Sequence, residues 1–248
     1  MILVVAELEP ATVERAVDFI KRNHDRPFFF YLAHSMPHVP LFVSEKFKGK
    51  SARGLFGDVI MEIDWSVGEV LRSLEKHGLE RDTLVVFLSD NGGPTRELTS
   101  SNAPLRGEKG SLFEGGVRVP FVVRWPRHFP PGTINDTAVI SMDLTVTALA
   151  AAGVKVTDGP FDGRDLAVPA EAAPRTFFWR AGPRAALRHG DWKLVREPVR
   201  GQPGPWQLYD LAHDLSEKTD LAATQSGRVK ELVAIWEKWS AAQAAPLW

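Results

Sequence analysis

The stretch Ser89-Asp90-Asn91-Gly92-Gly93 closes the apolar run 83–88 and sets a carboxylate and an amide oxygen side by side where a buried strand meets its loop. Open α/β sheets bind ligands outside the carboxyl ends of their strands. Asp and Asn oxygens are donors that a hard divalent cation prefers. A lysine flanked by glycine follows in Leu105-Arg106-Gly107-Glu108-Lys109-Gly110, with Glu114-Gly115-Gly116-Val117-Arg118 just beyond. A cation site beside a lysine on a glycine-rich loop suits the handling of an oxyanion ester. His38 adds a titratable nitrogen in Pro37-His38-Val39-Pro40, where prolines restrict the backbone on both sides. Taken singly, each has an ordinary reading: Asp90 and Asn91-Gly92 as turn formers, His38 as a loop histidine, Lys109 as a solvated lysine. His34 reads as a strand-end residue, Asp64 as structural, and Arg106 and Arg118 as supporting or packing residues.

These side chains need elements to position them. Val13, Ala16, Val17 and Ile20 recur at helical spacing until Pro27 breaks the pattern. Residues 28–33 form a continuous apolar run, expected as a strand buried on both faces that empties into the loop of His34 and His38. The clearest helix is predicted over 56–77, with Phe56, Val59, Ile60, Ile63, Val67, Val70, Leu71 and Leu74 in one stripe and Gly78 as its stop. Residues 84–88 are the next strand, so strand, helix and strand predict a crossover with a parallel pair. Residues 121–124 make another short strand. Ser141 is placed to cap a helix through Ala152, with Asp143 in its first turn and Gly153 past its end. Gly, Pro and Asp crowd 154–174, which places a domain boundary near residue 160. Beyond it, 177–180, 185–188, 192–196 and 206–209 read as short strands, with a hairpin turn at His189-Gly190-Asp191. Val229, Leu232, Val233 and Trp236 define a terminal helix on a small antiparallel sheet.

Composition narrows the class. The chain has 248 residues, 44% hydrophobic and 25% charged, as expected of a globular protein. A formal net charge of -1 gives no global field toward nucleic acid or an acidic membrane. With no cysteine, disulfides, thiolate metal sites and a cysteine nucleophile are excluded. The apolar run 2–6 is too short for a signal peptide or a membrane span and reads as a strand. Eight tryptophans are many, and packing is the expected use of Trp125, Trp179, Trp192, Trp206, Trp236 and Trp239, with carbohydrate stacking as the minority reading.

The ordered set of motifs resembles the sulfatase family. It runs from Pro27-Phe28-Phe29-Phe30-Tyr31-Leu32 and Pro37-His38-Val39-Pro40-Leu41, through Gly57-Asp58, Glu62-Ile63-Asp64 and Val67-Gly68, to Ser89-Asp90-Asn91-Gly92 and the block 106–118. The tail Leu208-Tyr209-Asp210-Leu211, with Asp214, Glu217 and Leu221, resembles the end of these enzymes' C-terminal subdomain. The resemblance implies an alkaline-phosphatase-like α/β fold with a mixed sheet, residues 1–160 being the C-terminal part of the catalytic domain and 161–248 a small α+β subdomain. It implies a formylglycine-dependent sulfatase of the arylsulfatase or N-acetylgalactosamine-6-sulfatase sort, acting on a sulfated small molecule or glycan. By the same resemblance Asp90 and Asn91 match calcium ligands, with magnesium as the second choice. Lys109 matches the sulfate-contacting lysine, and His38 the histidine near the ester's bridging oxygen.

The family's nucleophile arises from the Cys or Ser of a C/S-x-P-S-R motif, and no such motif occurs in this sequence. Ser51-Ala52-Arg53 is only a superficial echo of it. The expectation is therefore a sulfatase fragment starting inside the catalytic domain, incomplete at its N-terminal side and inactive alone. An apolar sheet edge exposed by that loss would favour aggregation. Two other classes fit the same residues: a phosphodiesterase or phosphonate hydrolase of the same superfold, and a non-catalytic binder of sulfated glycans. Neither compartment nor oligomeric state is specified by the sequence.

Overall fold

The computed structural model describes residues 4–5, 9–96, 100–156, 161–169 and 173–245. The chain divides into two compact units. The first comprises Met1–Val86, Arg96–Ser100 and Val123–Pro131, the second Phe87–Thr95, Ser101–Val122 and Gly132–Trp248.

In the first unit, strand β1 (Val4–Val5) leads to helix α1 (Glu9–Asn23) and then to β2 (Tyr31–Leu32), which pairs with β1 in parallel. α1 buries Val13, Ala16, Phe19 and Ile20. Phe19 stacks on Phe30 (centroids 4.9 Å apart) and meets the edge of Phe28 (5.6 Å). Phe28, Phe30 and Leu32 are half-buried while Phe29 and Tyr31 are 50% and 55% exposed. The run therefore covers one face only, with the period of two that a one-sided strand shows. The described strand is also shorter than predicted.

Helix α2 (Gly54–Lys76) follows. Its predicted stripe splits: Val59, Ile63 and Leu74 are buried, Phe56, Val67, Val70 and Leu71 are half-buried, and Ile60 is exposed. Gly78, at φ 69°, ends it, with the N–H of Gly78 on Glu75 O (2.9 Å) and that of Leu79 on Leu74 O (2.9 Å). Strand β3 (Val85–Leu88) leaves the unit, and its described partner is β4 (Phe121–Arg124) rather than β2. The expected parallel neighbours thus lie in separate two-stranded sheets. A helical crossover can span intervening strands, and the sequence does not say how many.

The second unit holds a short helix, α3 (Glu114–Val117), then α4 (Met142–Ala151). Ser141 makes no capping bond. Asp143 does not replace it as a cap; its carboxylate accepts the N–H of Ile140, ahead of the helix (2.9 Å), and so holds the chain where it enters α4. Four antiparallel strands follow in the order β5 (Thr176–Ala181), β6 (Arg184–His189), β7 (Trp192–Val199) and β8 (Gln202–Asp210). His189 pairs with Trp192 across the Gly190-Asp191 turn, as expected. β7 and β8 run past their predicted limits, with a bulge between Arg196 and Pro198. Prolines are tolerated at such a bulge and on the edge strand β8.

Alternation divides the sheet's buried side chains between two clusters. Ala186, Val195 and Tyr209 join Leu112, Phe113 and Leu211, whereas Ala185, Leu187, Leu194 and Leu208 join Leu232 and Trp236 of helix α5 (Ser226–Ala241). Trp206, Trp236 and Trp239 pack against one another or against Phe178, which is the packing use expected of them. Among the described residues no helix is long and apolar enough to cross a membrane.

Candidate functional site

The loop after β3 is built on backbone contacts that only glycine permits. Gly92 N–H donates to Gly116 O (3.0 Å), and a β-carbon on Gly92 would overlap the Gly115 carbonyl oxygen. Gly115 N–H donates to Arg106 O (2.6 Å), and a β-carbon there would overlap the carbonyls of Arg106 and Gly107. Gly107 and Gly110 take φ of 86° and 85°, which turns the chain at both sides of Glu108-Lys109. The loop 89–93, the loop 106–110 and α3 are therefore in main-chain contact.

Further bonds tie Asp90-Asn91 to the lysine loop. Lys109 N–H donates to Gly93 O (3.4 Å). Asn102 clamps both sides: its Nδ2 donates to Gly93 O (2.8 Å) and Gly107 O (3.2 Å), and its Oδ1 accepts Gly93 N–H (3.0 Å). Thr95 Oγ1 donates to Glu108 Oε2 (2.8 Å). Asp90 is exposed and Asn91 half-buried. Asn91 Nδ2 gives one of its two N–H groups to Gly92 O (3.2 Å), and the amide oxygen is the atom that could face a cation. Two hard oxygen donors fit a divalent cation, which takes about 6–8 in the case of calcium. Among the described residues no group of three or more His, Asp or Glu side chains assembles around a common point. Asp90 and Asn91 fit as part of a coordination sphere, not as a whole one.

His38 belongs to the first unit, on the loop between β2 and α2. Its Nδ1 lies 2.7 Å from Val39 O. A carbonyl only accepts, so Nδ1 carries the proton, and the imidazole has a second one to give from Nε2 only when charged. The loop is seated on α2 by Met36, which is buried with Val59 and Ile63. Two carboxylates one helical turn apart hold its far end. Glu62 accepts Ser44 N–H (3.0 Å), and Asp58 accepts the N–H groups of Ser51 (2.6 Å) and Gly49 (2.8 Å). The Ser51 bond, against a smaller opposing effect of burial, holds the Asp58 carboxyl below its ordinary value.

Arg106 and Arg118 take supporting contacts. Arg106 Nη1 donates to Tyr209 Oη (2.9 Å) and Glu217 O (2.9 Å), and its guanidinium lies 3.9 Å over the Phe113 ring. Arg118 approaches Glu114 at 4.0 Å. Asp64 is exposed on α2 and His34 half-buried. The sequence reading did not single out Asn102 or Lys193, and it named Glu114 and Glu217 only within separate motifs, not as members with Lys193 of one buried cluster. Lys193 had left a signal, since it stands inside the apolar strand pattern Trp192-Lys193-Leu194-Val195. Asn102, in a short polar segment, had left none.

Comparison with known proteins gives a consistent result. Residues 8–154 match the sulfatase family model. The chain is 42% identical to the steryl-sulfatase of Mus musculus over 161 residues, covering 62% of this chain and 26% of that protein. It is 33% identical to the arylsulfatase A of Homo sapiens over 242 residues, covering 86% of this chain and 48% of that one. The chain thus spans between about a quarter and a half of the length of these relatives. Among solved structures, Ps i-CgsB in complex with k-i-k-neocarrahexaose superposes with a TM-score of 0.85 at 31% identity, over 97% of this chain and 56% of that one. A protein of the alkaline phosphatase superfamily from Vibrio parahaemolyticus shares the fold at a TM-score of 0.57 and 17% identity, over 90% and 55% of the two chains.

Proposed function

The chain belongs to the sulfatase family, and on that premise we propose that it carries part of the machinery of a sulfuric ester hydrolase acting on sulfated carbohydrates or aryl sulfates. The observation that supports this best is the glycine-built junction that ties Lys109 to the Asp90-Asn91 loop through Gly93 and Asn102. Hydrolysis of a sulfate ester expels an alkoxide while negative charge gathers on the sulfuryl oxygens. The Lys109 ammonium stabilises that charge. His38 is the candidate donor of the proton that the departing oxygen takes up as an incoming nucleophile bonds to sulfur and the S–O bond breaks. Asp90 and Asn91 would hold calcium, or magnesium in its place, and a cation there would draw charge from the same sulfuryl oxygens.

The sequence contains no C/S-x-P-S-R motif from which a formylglycine nucleophile could form. The 248-residue chain by itself therefore binds a sulfate ester without turning it over. Binding of nitrocatechol sulfate followed by calorimetry tests the assignment: Lys109→Ala should weaken it by about tenfold or more, the scale of one charge-assisted contact. Unchanged affinity in that variant would remove Lys109 from the site. Turnover of the ester by the purified chain would overturn the statement on the nucleophile. Calcium should bind with a Kd weaker than micromolar, since two ligands satisfy only part of the sphere. Micromolar or tighter binding would require donors beyond Asp90 and Asn91.

A further inference from the structure

Glu217 has no part in the chemistry above, yet it is wholly buried (0% exposed) and holds a backbone conformation that residues other than glycine adopt only uncommonly. Its φ is 52°, in the left-handed region where a bulky side chain is uncommon. The turn that imposes this is built by Asp214, whose carboxylate accepts the N–H groups of Lys218 (2.8 Å) and Thr219 (2.7 Å) and whose carbonyl accepts that of Glu217 (3.1 Å). From there Glu217 reaches three segments. Its Oε2 accepts the N–H of Glu114, the first residue of α3 (2.7 Å), and its Oε1 lies 3.3 Å from Lys193 Nζ on β7. Its carbonyl accepts Arg106 Nη1 (2.9 Å). Lys193 closes the set by donating to Glu114 Oε1 (2.6 Å).

Arg106 and Glu114 are the two ends of the segment that carries Lys109, and Gly115, next to Glu114, bonds back to Arg106 O. Both ends are thus pinned by one residue from far along the chain. We infer that Glu217, with Lys193, is a positioning residue that fixes the 106–114 loop, and through the Gly92–Gly116 contact the Asp90-Asn91 loop as well. The inference rests on the reading of Lys109 as the sulfate-binding lysine. Stability alone does not account for the cluster. Buried ion pairs pay a desolvation penalty that well-packed apolar residues avoid, so they are weak stabilisers. Burial, opposed by Lys193, also pushes the Glu217 carboxyl above its ordinary value, so its ionised form works against folding.

Amide hydrogen exchange on the whole chain tests this. In Glu217→Gly the left-handed backbone is relieved while the carboxylate is lost together with its two methylenes. The amides of Gly92, Lys109 and Gly115 should exchange about tenfold faster, while those of Leu187 and Leu194, paired across β6 and β7, stay within about twofold of wild type. Equal acceleration at both sets would show a general stabilising role, and no acceleration no role, and either overturns the inference. Should that variant fail to fold, the same ratio in Glu217→Gln, which keeps the shape but not the charge, decides. Nitrocatechol sulfate affinity should fall with the loop's protection. If Lys109→Ala leaves that affinity unchanged while the selective exchange persists, the parent reading has failed and the positioning of the loop stands.

Discussion

Asp143 shows how one side chain can organise its surroundings without touching the proposed chemistry. It is fully buried and accepts two bonds from Arg175 (2.6 and 2.7 Å), one from Ile140 N–H (2.9 Å) and one from Arg164 N–H (2.8 Å). Burial alone would raise its pKa, but Arg175 and the two amides outweigh it and hold the carboxyl below its ordinary value. A lowered carboxylate contributes stability that is present above its unfolded pKa of about 4 and is lost as pH falls through the folded value. Asp143→Asn should therefore cost about 3 kcal/mol at neutral pH, because it strands a partly buried guanidinium. It should also flatten the loss of stability in urea titrations below about pH 4. Glu217 behaves in the opposite sense. Its raised pKa makes its contribution greatest below about pH 4.3 and lost as pH rises through the folded value. Wild type should thus lose ground to Glu217→Gln in thermal melts as pH rises from acid toward neutral. At Gly92, an alanine would drive its β-carbon into backbone that has no rotamer to yield. A loss of about 1–3 kcal/mol is expected, read by chemical denaturation, together with faster exchange at Lys109.

At the scale of elements, α2 is a platform for the histidine loop. Its length and its glycine stop follow from periodicity and from Gly78, which the structure places at the helix end. The polar residues on its buried side, Asp58 and Glu62, follow from neither, because their partners are main-chain amides of a loop that no pattern predicts. Glu62→Ala should cost about 1–3 kcal/mol by stranding Ser44 N–H, and should accelerate exchange at Ser44 ahead of the α2 interior. Equal exchange throughout would show that the loop and the helix open as one. Strand β2 teaches the opposite lesson. A run of six apolar residues reads as doubly buried, yet Phe28 and Phe30 turn to α1 while Phe29 and Tyr31 remain exposed. Composition does not distinguish a strand that is covered on both faces from one that is covered on one.

For the molecule as a whole, exposed apolar side chains set the solution behaviour. Phe29, Tyr31, Phe42, Phe87 and Val122 are each at least 38% exposed, and a formal net charge of -1 supplies little repulsion between copies. Self-association that grows with concentration is expected, and light scattering coupled to gel filtration measures it. A strictly monomeric chain with a cooperative thermal transition at high concentration would contradict this.

Residue types in order along the chain were enough to identify the family, and they nominated Asp90, Asn91, Lys109 and His38 as candidates, because ligand and charge chemistry constrain which side chains can serve. Short-range patterns also announced α2 and the Gly190 hairpin, since helix stops and tight turns are decided by a few neighbouring residues. Tertiary structure alone decided that Asn102 clamps the two loops, that Glu217 reaches more than a hundred residues back to Glu114 and Arg106, and that Asp143 gathers Ile140, Arg164 and Arg175. Those partners are set by chain crossings and by which backbone amides happen to lack a mate, and neither quantity is written in local sequence.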